Sequence, residues 1–474
     1  SLGAISAWLF TSFRVKNGYV KQLENAISKR QIDFEELSVD VQDAAMVKTI
    51  EETLSSNDEI KQLFALEIIE GLPLSSWKNT IQRLFDEATP DVRKRILNMA
   101  WDEELILSDD DIIKAMKKND DVSSEAMMVA GRRKIESIIP DLEILLESEV
   151  DDQRASAATA IIQIGSEISQ NAESIINDML NSDDELVQAT ALKRLIYNDS
   201  ILTTDKLIEF LKNEGHVISN VALTIAEKRN DEELIPAIIS NLDVSKTSLQ
   251  ARETLKKYSD EIILDQFDSL LSSDTTLRKL KLGIIRGLRE YPIDRSIDLL
   301  MSQLDSPDQE IYNEVVDSLL AIARLSEIDE NHQKVIHEQI NSIAKKVYSL
   351  YEIIRLLPED ENSLLMNDYL NSEIQHTLPT LLKLGVIDKP ETPIETYIHT
   401  VKSGDPAKLP FLLEFFENIF SKEQRDIINP LIEQISLDER SNIGLGHFKA
   451  LPNNLDQELI ESVYDLNKWK SAHA

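Results

Sequence analysis

Ile139-Pro140-Asp141-Leu142-Glu143-Ile144-Leu145-Leu146, followed by the acidic turn at Asp151-Asp152 and the run from Arg154 to Gly165, is the stretch that decides the fold. Proline belongs in the first turn of a helix, where its missing N–H leaves no partner wanting, so Pro140 predicts a helix start. Leu142, Leu145 and Leu146 then share one face. Beyond the turn, Ala157, Ala158, Ile161, Ile162 and Ile164 form a second apolar stripe, and Gly165 suits the helix C-cap. Two short helices, each apolar on more than one side, bury those sides only by stacking against copies of themselves.

The copies are present along the chain. The acidic or polar turn recurs at Asp58, Asp91, Asp121, Asp152, Asp184, Glu214, Ser245, Asp274 and Asp308, at intervals of 33, 30, 31, 32, 30, 31, 29 and 34 residues. A period of about 31 with two helices per unit predicts an all-α, HEAT-like α-solenoid, a right-handed superhelix of antiparallel helix pairs. Composition agrees: 474 residues exceed one ordinary core, and 12 glycines with 5% aromatics leave a helix-favouring mixture without a β-rich stretch. The array is expected over 41–325. It gives way to a long helical hairpin over 326–388, with helices at Val335–Leu357 and Leu364–Leu384. Further HEAT-like repeats are expected over 389–474, where Trp469 to Ala474 resembles the start of another helix and leaves the end apparently unfinished.

Residues 1–40 read differently. The first twelve are uncharged, include Trp8 and Phe10, and are followed by Arg14, Lys16, Lys21, Lys29 and Arg30. Twelve residues fall short of the roughly 20 that a bilayer span requires. The basic residues also follow the apolar run, the reverse of a signal peptide. The pattern fits the last turns of a membrane helix that begins upstream of Ser1, with an interfacial tryptophan and cytoplasmic lysines and arginines. An amphipathic first helix docked on the solenoid fits it too.

The chemistry-bearing residues point to no active site. A net charge of −35 opposes general nucleic-acid binding, and the lack of cysteine excludes disulfides, thiolate zinc sites and cysteine nucleophiles. The acidic doublets lack the glycine and alternating oxygen ligands of a calcium loop, and suit helix N-caps instead. The seven histidines never fall at i,i+3 or i,i+4, and Gly444-Leu445-Gly446 lacks the third glycine of a dinucleotide site. No catalytic residue, cofactor or metal ligand is therefore expected. The scarce basic residues stand on second helices, at Arg93-Lys94-Arg95, Arg132-Arg133-Lys134 and Lys193-Arg194. Arg93 and Arg154 suit an Asp–Arg ladder between neighbouring repeats. Arg132, Arg133 and Lys134 are the candidate protein-binding patch.

Several stretches carry a resemblance: Gly18-Tyr19-Val20-Lys21-Gln22-Leu23, Ile27 to Asp33, Leu63 to Glu70, Val401 to Pro406 and Leu412 to Asn418. Together they resemble the HEAT-repeat regions fused behind the membrane domain of bacterial nucleotide-transporter-like proteins, relatives of the ADP/ATP translocases of plastids and intracellular bacteria. The resemblance implies a carrier domain upstream of Ser1, with the solenoid on the cytoplasmic side of the inner membrane. It also implies that transport residues lie outside this sequence, and some members add a cyclic-nucleotide-binding domain downstream. The expected function is a non-enzymatic scaffold docking a protein partner on its concave face. A free soluble HEAT-repeat adaptor is the alternative. A HEAT-type lyase acting on a tetrapyrrole is disfavoured, because no aromatic- and histidine-lined pocket is indicated.

Overall fold

The computed structural model describes residues 44–448 apart from 71, 103–105, 119, 197, 199, 358–360 and 404–407. The expected membrane-exit segment, much of the resemblance and Trp469 to Ala474 lie outside the described residues. Among those described, every regular element is a helix. The chain divides into two compact units, Ser1–Arg229 and Asn230–Ala474. That division cuts the array expected over 41–325.

The first unit is a stack of helix pairs: α1 (Ala44–Leu54) with α2 (Glu59–Ile69), α3 (Lys78–Glu87) with α4 (Pro90–Asp102), and α5 (Asp109–Lys117) with α6 (Ser123–Arg132). There follow α7 (Ile139–Leu145) with α8 (Asp151–Ile164), α9 (Ser169–Leu180) with α10 (Glu185–Arg194), and α11 (Thr204–Leu211) with α12 (His216–Arg229). The even-numbered second helices pack on one another in order, from α2 to α12. The recurring acids start them. Asp58 accepts hydrogen bonds from the backbone N–H groups of Ile60 and Lys61, and Asp184 from that of Leu186. Each thereby satisfies donors that a helix start leaves unpaired, and its charge suits the positive end of the helix dipole. Pro140 sits in the first turn of α7, and Gly165 closes α8 in the left-handed region at φ 79°.

The tightest approach in this unit is between α6 and α8. Ala155, Ala157, Ala158 and Ala160 are fully buried, and a Cβ on Gly131 would lie 2.6 Å from the Ala160 Cα. Small side chains on both helices let the backbones close to that distance.

The second unit begins with a broken first helix: a 3-10 turn at Glu232–Leu234, the five-residue α13 (Ile235–Ile239) and another 3-10 turn at Ser240–Asp243. It continues with α14 (Ser248–Leu255), α15 (Asp260–Ser272), α16 (Arg278–Gly287), α17 (Asp294–Met301) and α18 (Gln309–Ala323). Asp308 caps α18 through the N–H groups of Glu310 and Ile311. Gly283 is required here, because a Cβ would meet the Leu242 carbonyl oxygen at 2.4 Å.

Two long helices follow, α19 (Glu330–Leu356) and α20 (Glu361–Gly385), packed along each other. Then come α21 (Ile394–Ser403), α22 (Leu409–Ile419), α23 (Lys422–Ile432) and α24 (Leu437–Phe448). Each packs on its predecessor from α20 onward, but α23 and α24 return to α19. Tyr348 and Tyr351 of α19 donate their hydroxyls to the carbonyls of Ile427 and Leu431, at 2.9 and 3.2 Å. Arg440 lies 4.1 Å over the Tyr351 ring, and Gly444 lets α24 close on Tyr348. Helices α23 and α24, from the stretch expected to hold further repeats over 389–474, thus return to the hairpin expected over 326–388.

Candidate interaction surface

The arginines of the first unit show what the second helices do with their scarce positive charge. Arg93 of α4 reaches the turn before α6, where its Nη1 donates to Asp120 Oδ2 at 2.7 Å while its guanidinium lies 5.5 Å from the Phe85 ring centroid. Burial works to raise the Asp120 pKa, but the hydrogen bond and charge of Arg93, with the Val122 N–H, hold it below the usual carboxylate value. Arg194 of α10 bonds both oxygens of Asp152 on α8, at 2.6 and 2.7 Å, and reaches Glu125 of α6 at 3.2 Å. One guanidinium therefore ties three successive second helices. Burial pushes Asp152 upward as well, and the Arg194 charge together with hydrogen bonds from Ser124 and Arg194 outweighs it, leaving the pKa lowered. Arg154 stays within its own repeat, bonding the Ser148 carbonyl at 2.7 Å and pairing with Asp151. The ladder between repeats therefore runs through Arg93 and Arg194, with Arg154 as a local brace.

Arg132, Arg133 and Lys134 take three different environments at the end of α6. Arg133 turns inward and donates to the carbonyls of Leu107 at 2.8 Å and Ala100 at 3.2 Å, closing chain ends that would otherwise lack donors. Arg132 lies exposed with its guanidinium 5.9 Å from the Trp101 ring centroid. Lys134 is exposed and left-handed at φ 56°. Two of the three thus face solvent, while the third holds the preceding repeat together.

A surface feature that charge and motif reasoning missed is aliphatic. Ile60, Val150 and Leu186 in the first unit, and Leu249 and Leu277 in the second, are exposed, and each occupies the cap or second position of a second helix. Exposed Glu149 stands beside Val150, Asp183 and Asp184 beside Leu186, and Asp274 near Leu277. Single exposed aliphatics are ordinary on protein surfaces. Their recurrence at the starts of the second helices is the informative part, and the signal was available at Ile60, Leu186 and Leu249 as an aliphatic residue two places after the cap. Capping forces this edge of each unit to be acidic, and the repeat sets the apolar side chains among those acids.

In the second unit a cleft of about 590 Å³ opens between the α18–α19 turn and the end of α20, lined by Arg324, Leu325, Ser326, Glu327, Gln333 and Asp388 among others. Arg324 Nε donates to the Pro390 carbonyl at 3.1 Å across its rim. The lining holds one cation, two carboxylates and no histidine. Among the described residues, no cluster of three or more histidine, aspartate or glutamate side chains is arranged to hold a metal ion. Nor, among them, is any helix long and apolar enough to cross a membrane.

No family model and no curated protein matches the chain. Among solved structures, it is similar to human deoxyhypusine hydroxylase in complex with glycerol, at 11% identity and a TM-score of 0.28, over 59% of this chain and 96% of that one. A likeness at that level carries no argument about fold or chemistry. The all-α stacking rests on the helices themselves.

Proposed function

We propose that this chain is a non-catalytic interaction scaffold, the cytoplasmic solenoid of an inner-membrane transporter-like protein. The observation that carries the scaffold reading is the recurrence of exposed aliphatic side chains at the acidic starts of the first unit's second helices, at Ile60, Val150 and Leu186. A partner presenting apolar and basic side chains would gain about 1.5–3 kcal/mol for each large aliphatic residue it fully covers. The surrounding carboxylates would steer its approach. Stacked repeats suit this task, since successive units can present contact points at the starts of their second helices. The membrane part of the reading is supported by the sequence of residues 1–30, with Trp8 and Phe10 ahead of five basic residues.

Two experiments test the two halves. Membranes carrying the native protein are washed in alkaline carbonate and its size is read on the same gel. Retention in the pellet at a mass far above 53.8 kDa supports the membrane-borne reading; release at about that mass leaves a free adaptor. For the edge, Ile60→Asp and Leu186→Asp, both in the first unit, are combined and compared with Ile144→Asp, an exposed aliphatic of the same unit that stands off the row. Partners that co-purify with the native protein should be lost from the double variant and kept by the single one. Equal retention by both would sink the edge.

A further inference from the structure

The cleft between the α18–α19 turn and the end of α20 gathers charges that the fold leaves without a charged partner. Arg278, Arg286 and Arg289 of the same unit each hold a carboxylate. Arg324 is tied instead by its Nε, which donates to the Pro390 carbonyl at 3.1 Å, so both Nη groups remain as donors. It forms no ion pair among the described residues, and neither do Glu327 in the turn and Asp388 beyond α20. An exposed charge loses little by standing unpaired in water. Here all three line one cavity of about 590 Å³, a volume within the roughly 300–1,000 Å³ of small-ligand sites.

Part of the remaining lining is aliphatic, and its backbone is fixed. Ile328 and Ile387 belong to the core, at 7% and 2% exposure, while Leu325 beside them is 70% exposed. Gln333 Nε2 donates to the Ile328 carbonyl at 3.0 Å, and the Ile387 N–H donates to the Leu384 carbonyl at 3.3 Å. The Nε anchor sets the Arg324 fork in the same way, and its paired Nη donors match the geometry of a carboxylate. Helices α18 and α20 both end beside the cleft, and the negative end of a helix favours an ammonium group nearby.

One kind of molecule answers all of these groups. It carries a carboxylate for Arg324, two ammonium groups for Glu327 and Asp388, and a methylene chain for the aliphatic side chains. We infer that the cleft binds a free dibasic amino acid such as lysine, with its charges matched in that way. A polyamine would set a cation against Arg324. A lysine side chain within a protein would leave Arg324 without a carboxylate. The inference stands apart from the scaffold and membrane readings.

Titration calorimetry on the full 474-residue chain, in about 0.15 M salt to screen distant charges, tests this. L-lysine should bind saturably at one site. L-lysinamide lacks the carboxylate and L-norleucine the side-chain ammonium, and each should bind about tenfold more weakly, as expected for one lost charged contact. Arg324→Gln should weaken L-lysine by a similar factor and leave L-lysinamide unchanged. Glu327→Gln combined with Asp388→Asn should weaken L-lysine more than L-norleucine; neither carboxylate has an ion pair to lose, so this variant keeps its fold. Binding of L-lysinamide above that of L-lysine overturns the proposal, since affinity would then follow attraction by the net charge of −35. So does a lack of saturable L-lysine binding, or binding that survives all three substitutions.

Discussion

The two units join neighbouring repeats with the same residue types but set several of them in opposite environments. In the first, three of the arginine side chains that bridge repeats are withdrawn from water, Arg93 at 7% exposed, Arg133 at 7% and Arg194 at 8%, while Arg95 on Glu70 is 29% exposed. In the second, Arg278 is 52% exposed and Arg286 47%, although they bond Asp308, Glu310 and Glu314 in the same repeat-to-repeat sense. A buried guanidinium is tolerated only while each partner stays in place, because a lone charge in that setting is costly. An exposed one gains little and loses little. The rungs through Arg93, Arg133 and Arg194 are thus obligatory, and those through Arg278 and Arg286 auxiliary, while Arg252 and Arg289 of the second unit stand between, at 24% and 30% exposed.

Arg194→Met puts the largest strain on that contrast. It leaves Asp152 and Glu125 without their shared cation on packed helices, and we expect a loss of about 3 kcal/mol, within the range for breaking buried pairs. Hydrogen exchange on α6, α8 and α10 should accelerate accordingly. Protection left unchanged there would show that the small-residue packing around Gly131 and Ala160 holds these helices without the ladder.

Gly283→Ala asks whether the second unit has an obligatory element of a different kind. Its new methyl would meet the Leu242 carbonyl oxygen, and overpacking of this sort costs about 1–3 kcal/mol. Faster exchange across α16 and the Ser240–Asp243 turn is the expected result. A neutral outcome would mean that the broken first helix shifts to accommodate it.

What the residues disclosed in advance followed from local chemistry. Caps at Asp58, Asp184 and Asp308 fix where helices start, and those starts fall at the recurring turns, so the stacking of pairs was legible. The division after Arg229 was not. It falls where Asn230 turns left-handed at φ 50° and the next first helix shortens to five residues, features that read locally as one more turn. The return of α23 and α24 was equally hidden. Tyr348 and Ile427 are 79 residues apart, and a contact over that separation leaves no periodic trace. Among the candidate residues, Arg133 looked like part of a basic patch because sequence shows a run of charge, not which side chain turns inward to meet free carbonyls. Arg194 likewise gave no hint that it pairs 42 residues back with Asp152.

Acid offers a graded test of both units. Asp152 in the first and Asp308 in the second are both held below the usual carboxylate value, Asp308 chiefly by its hydrogen bond from Arg278. A carboxylate depressed in the folded state contributes stability that is full above its unfolded pKa, near 3.9 for aspartate, and is lost as pH falls through the folded value. Stability should therefore hold from pH 7 to about 5 and decline below about 4. Protection around α8 and around α18 should fall within that window. In Arg194→Met the decline around α8 should flatten, because Asp152 no longer has a depressed pKa to lose. An unchanged decline in the variant would show that Asp152 owes its ionised state to Ser124 and the helix start instead.

Arg286→Ala is the smallest expected effect and the sharpest check on the second unit. Glu314 accepts from both Arg286 and Arg289, and the latter also donates to Ser318 Oγ at 2.9 Å. Removing Arg286 leaves that carboxylate with a partner, so the loss should stay under about 1 kcal/mol. The remaining effect should shrink further in 1 M salt, where the screening length falls to about 3 Å. Denaturant unfolding at low and high salt, followed by exchange on α16 and α18, reads both quantities. A loss that is large and insensitive to salt would place Arg286 in the obligatory class with Arg194. Exposure would then be a poor guide to which rungs hold the repeats together.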